Sequence, residues 1–306
     1  MRWLIAQASE PSAVRNVASI VWTAAVTVAL VAFVLRDPDS LRAALGLFSP
    51  VAILVSALLV LLAKVLLAEL FGAVARSEGV PLSLYERQRT YHLSQLAKYL
   101  PGFVWQFASK ALMLQRQGAH PATTARVIAI EQLWIIGGAM FVGVGAAAGM
   151  VATGGGLLAG PTGDIRWVLR AGLVGFAVLS ATLLLRRSGR GVSRSHAGLS
   201  LAAWLALSLS FAVLVAAASS MEFTSLLVGS AAFPIAYVGG YVVPFAPGGI
   251  GVREGLLAAL ISPILLPEVA VAVAVMSRLV YLAAEVMLSV VLVRSRQDYC
   301  GGQGIA

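Results

Sequence analysis

The residues best suited to chemistry lie at positions 247–255, which read PGGIGVREG between two apolar runs. A helix that starts behind a Pro-Gly break presents unpaired N–H groups and the positive end of its dipole, which together can hold a phosphate or a carboxylate. Glycine has no Cβ, so Gly248, Gly249 and Gly251 would let a ligand approach the backbone. Arg253 falls in the first helical turn, where a cation opposes the dipole and calls for an anionic partner. The pattern predicts an anion site, with the arginine gripping a phosphate of a lipid.

The two charged residues of this stretch also have structural interpretations. A protein partner for Arg253 would be a carboxylate on another helix: Glu69, Glu131 or Glu285. Glu254 suits a helix N-terminus and could act only as a cap. It could also pair with Arg278 or Lys64, or take up a coupling proton.

A second break lies at Pro101-Gly102, within the string KYLPGFVW at residues 98–105. Each break falls late in its own half of the chain. A matched pair of Pro/Gly-interrupted hydrophobic segments points to an inverted-repeat transporter with a site near the bilayer midplane. The alternative is a pair of kinked capping loops that only shape packing, because Pro and Gly are common in membrane helices. The predicted binding set is Lys98, Pro101, Gly102, Trp105, Pro247, Gly248, Gly249, Gly251, Arg253 and Glu254.

Further charged residues lie inside apolar runs, where they mark a functional path by default. Lys64 and Glu69 are five apart and do not share a helix face, so each needs a partner on another helix. Arg278 and Glu285 are seven apart with Tyr281 between them, and form a polar stripe. A structural salt-bridge network is an equal alternative to substrate contact for this stripe.

Three more charges complete the supporting set. Lys98 and Lys110 flank the first break, and snorkelling of both to the membrane interface is the simplest expectation. Glu131 lies near the start of an apolar run and is followed by Gln132. The supporting intramembrane charges are therefore Lys64, Glu69, Lys110, Glu131, Arg278 and Glu285, with Tyr281 beside them.

The composition predicts a membrane protein. Of the 306 residues, 59% are hydrophobic and only 11% are charged, against about a quarter charged in soluble domains. The net charge of +9 comes from arginines that sit mostly in loops, where they set topology and meet anionic lipid rather than nucleic acid. A single cysteine, three scattered histidines and the absence of a GxxxxGK[ST] motif predict no metal, no cofactor and no enzyme activity.

A spanning helix needs about 20 apolar residues. Clear candidates are residues 17–35, 51–71, 128–151, 167–185, 199–218 and 269–293. The run 223–243 is long enough to span but is interrupted by Pro234, Gly239 and Gly240, and 255–266 reads as a half-helix. In the segment 82–119 an interfacial helix is followed by a re-entrant one.

These elements predict an all-α polytopic membrane protein with about six to eight spanning helices, two Pro/Gly-broken re-entrant segments and an inverted repeat. One transmembrane domain would cover residues 1–297, with halves of about 1–153 and 165–297, before a disordered tail at 298–306. Arginines flank the first helix on its N-terminal side and crowd alternate loops, which predicts a cytoplasmic N-terminus in the plasma membrane.

With both motifs in view, PGGIGVREG resembles the signature of the transmembrane region of the lysylphosphatidylglycerol synthase/flippase family, the multiple peptide resistance factors. KYLPGFVW is similar to that family's first broken segment. The resemblance covers essentially the whole chain in helix count and in the position of both breaks. It implies a membrane domain that moves an anionic or aminoacylated lipid between leaflets through two re-entrant elements that meet at a central cavity.

The resemblance carries over to Pro101, Gly102, Pro247, Gly248, Gly249, Gly251, Arg253 and Glu254. The chain departs from the two-domain synthases because it ends at Ala306 with no aminoacyltransferase domain, so that activity is not expected. A phospholipid, a polyprenyl phosphate or a polyprenyl-phosphate sugar all fit as the lipid. A second copy of the chain, or a glycosyltransferase or lipid-modifying enzyme of the same pathway, would be compatible partners.

Two other functions stay open at this point. An integral-membrane transferase acting on a lipid-linked substrate would need a carboxylate pair or a histidine facing water, for which Glu131 with His92 is the only candidate. A non-transporting scaffold for a pathway enzyme would tolerate substitution of the cavity residues.

Overall fold

The computed structural model describes residues 46–99, 104–152, 194–219, 223–243 and 246–301, and these ranges are helical with no strand. The eight helices are α1 Pro50–Ser77, α2 Leu84–Leu96, α3 Trp105–Arg116, α4 Pro121–Ala152, α5 Arg194–Ala217, α6 Phe223–Val242, α7 Val252–Ile261 and α8 Pro267–Gly301. Short 3₁₀ turns at Ala97–Tyr99 and Pro247–Gly249 follow α2 and precede α7.

Five of these helices, α1, α4, α5, α6 and α8, are long and apolar enough to cross a membrane. The described part of the chain is thus all-helical and suited to crossing a membrane several times, as the composition predicts. The apolar runs at 51–71, 128–151, 199–218, 223–243 and 269–293 each fall on one of them. The runs at 17–35 and 167–185 lie outside the described residues.

The expected interruption of the run 223–243 is wrong, because α6 continues through Pro234. Proline removes one intrahelical hydrogen bond, but a membrane helix tolerates this when its neighbours accommodate the site. Gly143 on α4 leaves room for the proline ring, since a Cβ on that residue would lie 3.2 Å from the Pro234 Cγ.

Helices α2, α3 and α7 have 13, 12 and 10 residues, and none is long enough to cross a bilayer alone. Helix α2 begins with a capping box. The Ser83 hydroxyl accepts the Glu86 N–H at 3.3 Å, and the Glu86 carboxylate accepts the Ser83 N–H at 2.8 Å. This reciprocal cap fixes where α2 starts.

The long helices pack side by side through small residues. Helix α1 lies against α5, and α6 contacts α4, α5 and α7. A Cβ added to Gly229 of α6 would lie 2.7 Å from the Cα of Ala212 on α5, so this crossing needs glycine, as close membrane-helix contacts often do. Helix α8 packs on α1 and on the short helices α2 and α7. The polar stripe of α8, from Arg278 to Glu285, therefore lies close to both short helices.

Helix α8 also extends further than expected. It runs to Gly301 and therefore includes residues 298–301 of the segment predicted to be a disordered tail. Residues 302–306 lie outside the described part of the chain.

Candidate functional site

The two predicted breaks lie next to each other where the structure describes them. The 3₁₀ turn Ala97–Tyr99 contacts the turn Pro247–Gly249. A Cβ on Gly248 would lie 3.2 Å from the Cε1 of Tyr99. Pro101 and Gly102 fall outside the described residues, so the first break is represented by its flanks.

The second break needs its glycines. The backbone of Gly248, Gly249 and Gly251 adopts φ values of 58°, 72° and 82°, a left-handed conformation that side chains with a Cβ rarely take. Space is also short, because a Cβ on Gly249 would lie 3.3 Å from the backbone of Gly240 on α6. The glycine string therefore shapes a tight turn pressed between α6 and Tyr99.

A small pocket of about 50 Å³ lies between these turns. Four residues of the predicted set line it: Lys98, Gly248, Gly249 and Arg253. The remaining lining residues are Gln95, Gln106, Gln132, Ile135, Tyr237, Gly240, Tyr241 and Ala246. Trp105, Gly251 and Glu254 lie in the same region without lining the pocket, and the Trp105 side chain is 46% exposed.

Arg253 is buried, with 4% of its surface exposed, and is held by aromatic rings rather than by a carboxylate. Its guanidinium carbon lies 4.4 Å from the ring centre of Phe233, 5.2 Å from that of Tyr237 and 4.6 Å from that of Tyr281. Cation–π contact at these distances is attractive, and more so away from water. The Nη2 of Arg253 has no hydrogen-bond partner among the described residues.

The structural alternative for Arg253 is therefore wrong in its named partners. Glu69 binds Arg87, Glu131 binds Lys110, and Glu285 binds Lys64 and Lys98. Each of the three carboxylates already holds another cation, which leaves the arginine to its aromatic cage.

Glu254 acts as the helix cap that the sequence allowed. Its Oε2 accepts the N–H of Gly251 at 2.7 Å, and its Oε1 lies 3.4 Å from the Nε of Arg278. The N–H of Gly249 is also occupied, since it donates to the carbonyl of Ala246 at 2.9 Å. Two of the backbone N–H groups predicted to bind an anion therefore already donate to acceptors in the protein. An anion at this place would have to be bound mainly by side chains.

Glu285 is the centre of a second cluster, and Lys98 belongs to it. Lys64 donates to its Oε1, Lys98 lies 2.5 Å from the same oxygen, and the Tyr99 hydroxyl donates to its Oε2 at 2.6 Å. The Lys64 ammonium also lies 3.8 Å from the ring centre of Tyr281. Lys98 does not snorkel outward as expected, because a buried carboxylate binds its ammonium group.

Arg278 completes the polar stripe of α8. Its Nη2 donates to the carbonyl of Gly248 at 3.2 Å, and its Nη1 is buried with no partner in the described ranges. Arg278 thus contacts the glycine turn, and Glu285 contacts the 3₁₀ turn that follows α2. The stripe is a network of ion pairs and hydrogen bonds, and it also lies beside the pocket.

Lys110 and Glu131 form a separate buried pair. The Lys110 ammonium lies 2.6 Å and 2.7 Å from the two carboxylate oxygens. It also lies 4.9 Å from the ring centres of Phe71 and Tyr91. The expected snorkelling of Lys110 is wrong for the same reason as that of Lys98.

Lys64 and Glu69 have their partners on other helices, as predicted. Lys64 reaches Glu285 on α8, while Glu69 binds Arg87 at 2.7 Å and Gln88 at 2.8 Å on α2. Both residues tie α1 to its neighbours.

The residue pair considered for a transferase, Glu131 and His92, is not joined by a hydrogen bond or ion pair among the described residues. Glu131 is neutralised by Lys110, and the His92 Nε2 pairs with the Gln88 side chain at 3.1 Å. General acid–base work needs groups within hydrogen-bond reach of a reacting atom. Two groups already engaged with other partners give that hypothesis no support.

Sequence reasoning missed the aromatic side of the site. Phe233, Tyr237 and Tyr241 recur every four residues along α6, and this spacing places them on one helix face. That stripe was visible in the sequence and could have been matched to the cation of Arg253. The Tyr241 hydroxyl donates to Gln132 at 2.9 Å and so links α6 to α4 beside the pocket.

Comparison with models of known protein families gives no match, and comparison with curated proteins gives no relative.

Proposed function

We propose that this protein is a flippase-like transporter that moves a phosphate-bearing lipid between the leaflets of the membrane. The candidate lipids are anionic, aminoacylated or linked to polyprenyl phosphate. The observation that carries the proposal is Arg253, a buried cation that lines the pocket, with its Nη2 unsatisfied by the described residues.

A buried charge without an opposite charge is costly, and such residues inside membrane proteins serve substrates or ions. A guanidinium suits a phosphate because its planar N–H groups match two oxygens at once. A site formed between apolar helices would hold the charged head while the tails remain in lipid. This arrangement accounts for a cation placed where the fold itself gives it no carboxylate.

We also propose how the helices are arranged in the membrane. Helices α2, α3 and α7 with their turns would form two re-entrant elements of an inverted repeat with six to eight spans. The protein would lie in the plasma membrane with its N-terminus in the cytoplasm. Since the sequence carries no nucleotide-binding motif, movement would be downhill or coupled to an ion, with Glu254, Glu131 or Glu285 as the proton carrier.

The direct test is the variant Arg253→Met in proteoliposomes that contain a fluorescent phospholipid. Methionine keeps an unbranched apolar stem against the three rings and removes the charge. We expect translocation to fall at least tenfold, while the melting temperature in detergent does not decrease, because an uncompensated buried charge is removed. The exposed Arg116 supplies the control Arg116→Gln, which should translocate normally.

Normal translocation by Arg253→Met would remove this residue from the mechanism and leave the proposal without its main support. A strong loss of stability would instead assign Arg253 a structural role. Arg253→Lys separates the two possibilities further, since it keeps the charge but loses the two-pronged grip, and we expect partial transport from it.

A further inference from the structure

The pocket has more positive than negative charge around it. Four cations surround it, namely Lys64, Lys98, Arg253 and Arg278, and two carboxylates accompany them, Glu254 and Glu285. In the described ranges this group therefore has a formal excess of two positive charges. The nearby pairs Lys110–Glu131 and Arg87–Glu69 are each neutral and do not change that balance.

The excess can be traced to particular side chains. Glu285 compensates the fully buried Lys64, which contacts it directly, and Glu254 compensates Arg278 at 3.4 Å. Lys98 shares Glu285 with Lys64, and the Arg253 guanidinium lies over aromatic rings with no carboxylate partner among the described residues. Lys98 and Arg253 are also the two cations that line the pocket.

Besides Lys98 and Arg253, the described lining of the pocket carries only uncharged side chains. Its other polar lining consists of the amides of Gln95, Gln106 and Gln132 and the hydroxyls of Tyr237 and Tyr241. No carboxylate lines this pocket among the residues described, so a cationic aminoacyl head would find no partner there.

From this charge balance we infer that the lipid carried by the protein ends in a phosphate monoester. A monoester carries about −1.5 to −2 charges at pH 7, with a second pKa of about 6, and so matches the formal excess of two positive charges around the pocket. A phosphodiester carries a single charge, and a zwitterionic or aminoacylated head carries less or none. This inference rests on the proposed transport function and narrows its substrate.

The test compares phosphatidic acid, a monoester, with phosphatidylmethanol, a diester, carrying the same acyl chains. Binding to the purified full chain in nanodiscs of neutral lipid would be measured by native mass spectrometry at pH 7.5 and pH 5. We expect the monoester to bind at least tenfold more tightly at pH 7.5, because of the second charge pair. The preference should shrink at pH 5, where the monoester takes up its second proton.

Lys98→Gln should abolish the preference, because one of the two excess charges is lost, and Arg116→Gln should leave the preference intact. Arg253→Lys keeps both charges and should preserve the preference even with lower overall affinity. It keeps the test informative if Lys98→Gln folds poorly.

Equal affinity for the two lipids, or a preference that survives in a folded Lys98→Gln variant, would overturn the monoester assignment. The transport proposal would still stand if the flipping of either lipid required Arg253. Flipping that does not depend on Arg253 would overturn the transport proposal itself, whatever the binding data show.

Discussion

Two groups of buried charge in this protein differ in whether every charged side chain has a partner of opposite charge. Lys110 and Glu131 satisfy each other, with both carboxylate oxygens within 2.7 Å of the ammonium and two aromatic rings beside it. Around the pocket, two carboxylates serve four cations, and nitrogens of Arg253 and Arg278 have no partner in the described structure. The first group is a closed pair, and the second has room for an anion.

The difference shows how charges inside an apolar fold can be sorted. A charged residue in a membrane helix is a functional candidate by default, yet a neutral, fully paired couple such as Lys110–Glu131 has a sufficient structural reason to exist. The balance of charge in a cluster therefore says more about function than burial does. Variants that break each group should affect different properties.

The largest expected effect on stability comes from breaking the closed pair with Lys110→Met. Removal of one partner leaves Glu131 buried and uncompensated, which costs about 3–5 kcal/mol. Chemical unfolding in detergent would measure this loss, and transport should decline only in proportion to the unfolded fraction. The double variant Lys110→Met with Glu131→Leu should restore most of the stability, because a buried ion pair can be replaced by apolar residues at little cost. A stable single variant would show that the pair is not closed in the way described.

A smaller effect is expected from Tyr99→Phe at the edge of the pocket. This change removes the 2.6 Å hydrogen bond to Glu285, but Lys64 and Lys98 still hold that carboxylate, so we expect a loss of about 1.5 kcal/mol. Tyr85→Phe is the matched control, since the Tyr85 hydroxyl donates to a neutral acceptor, the Leu292 carbonyl, at 3.0 Å. If the two variants lose equal stability, the charge on Glu285 adds nothing to the Tyr99 bond.

The smallest effect concerns Glu86, which caps α2 away from both charge groups. Hydrogen bonds from the Ser83 backbone and side chain hold the pKa of Glu86 below its usual value. A carboxylate with a lowered pKa in the folded state stabilises that state above its unfolded pKa, and this contribution is lost as the pH falls through the folded value.

Wild type and Glu86→Gln should therefore differ in melting temperature at pH 7 and converge as the pH falls below about 4.5, the ordinary value for this side chain. Ser83→Ala removes the other half of the cap and should destabilise at both pH values, by about 1 kcal/mol. A difference between wild type and Glu86→Gln that stays constant with pH would mean that the charge of Glu86 does not contribute.

Much of the helix plan could be predicted from the sequence, because apolar length is a strong local signal. The runs at 51–71, 128–151, 199–218 and 269–293 all lie on helices long enough to cross a membrane. The interruption expected at Pro234 was wrong, because α6 continues through this residue. The room for its ring comes from Gly143 on α4, a residue of another helix. A contact of this kind cannot be read from one helix alone.

The sequence placed the two broken segments together, but it did not give the partners of the charged residues around them. The two broken segments do adjoin through Tyr99 and Gly248, and Glu254 caps its helix as one interpretation held. The pairing of Lys110 with Glu131, and of Lys98 with Glu285, joins residues far apart in sequence and depends on how the helices pack. The cage around Arg253 was missed because charged residues were matched only to charged residues, whereas aromatic faces also attract cations.

The aromatic setting of Arg253 has a consequence for the speed of the transport cycle proposed above. This guanidinium is buried and has no carboxylate partner among the described residues, so an arriving phosphate would not have to displace a carboxylate from it. Release of the phosphate would be equally direct, since no carboxylate has to rebind Arg253 before the next lipid enters. A cation kept in this state would favour rapid exchange over long residence in the proposed carrier.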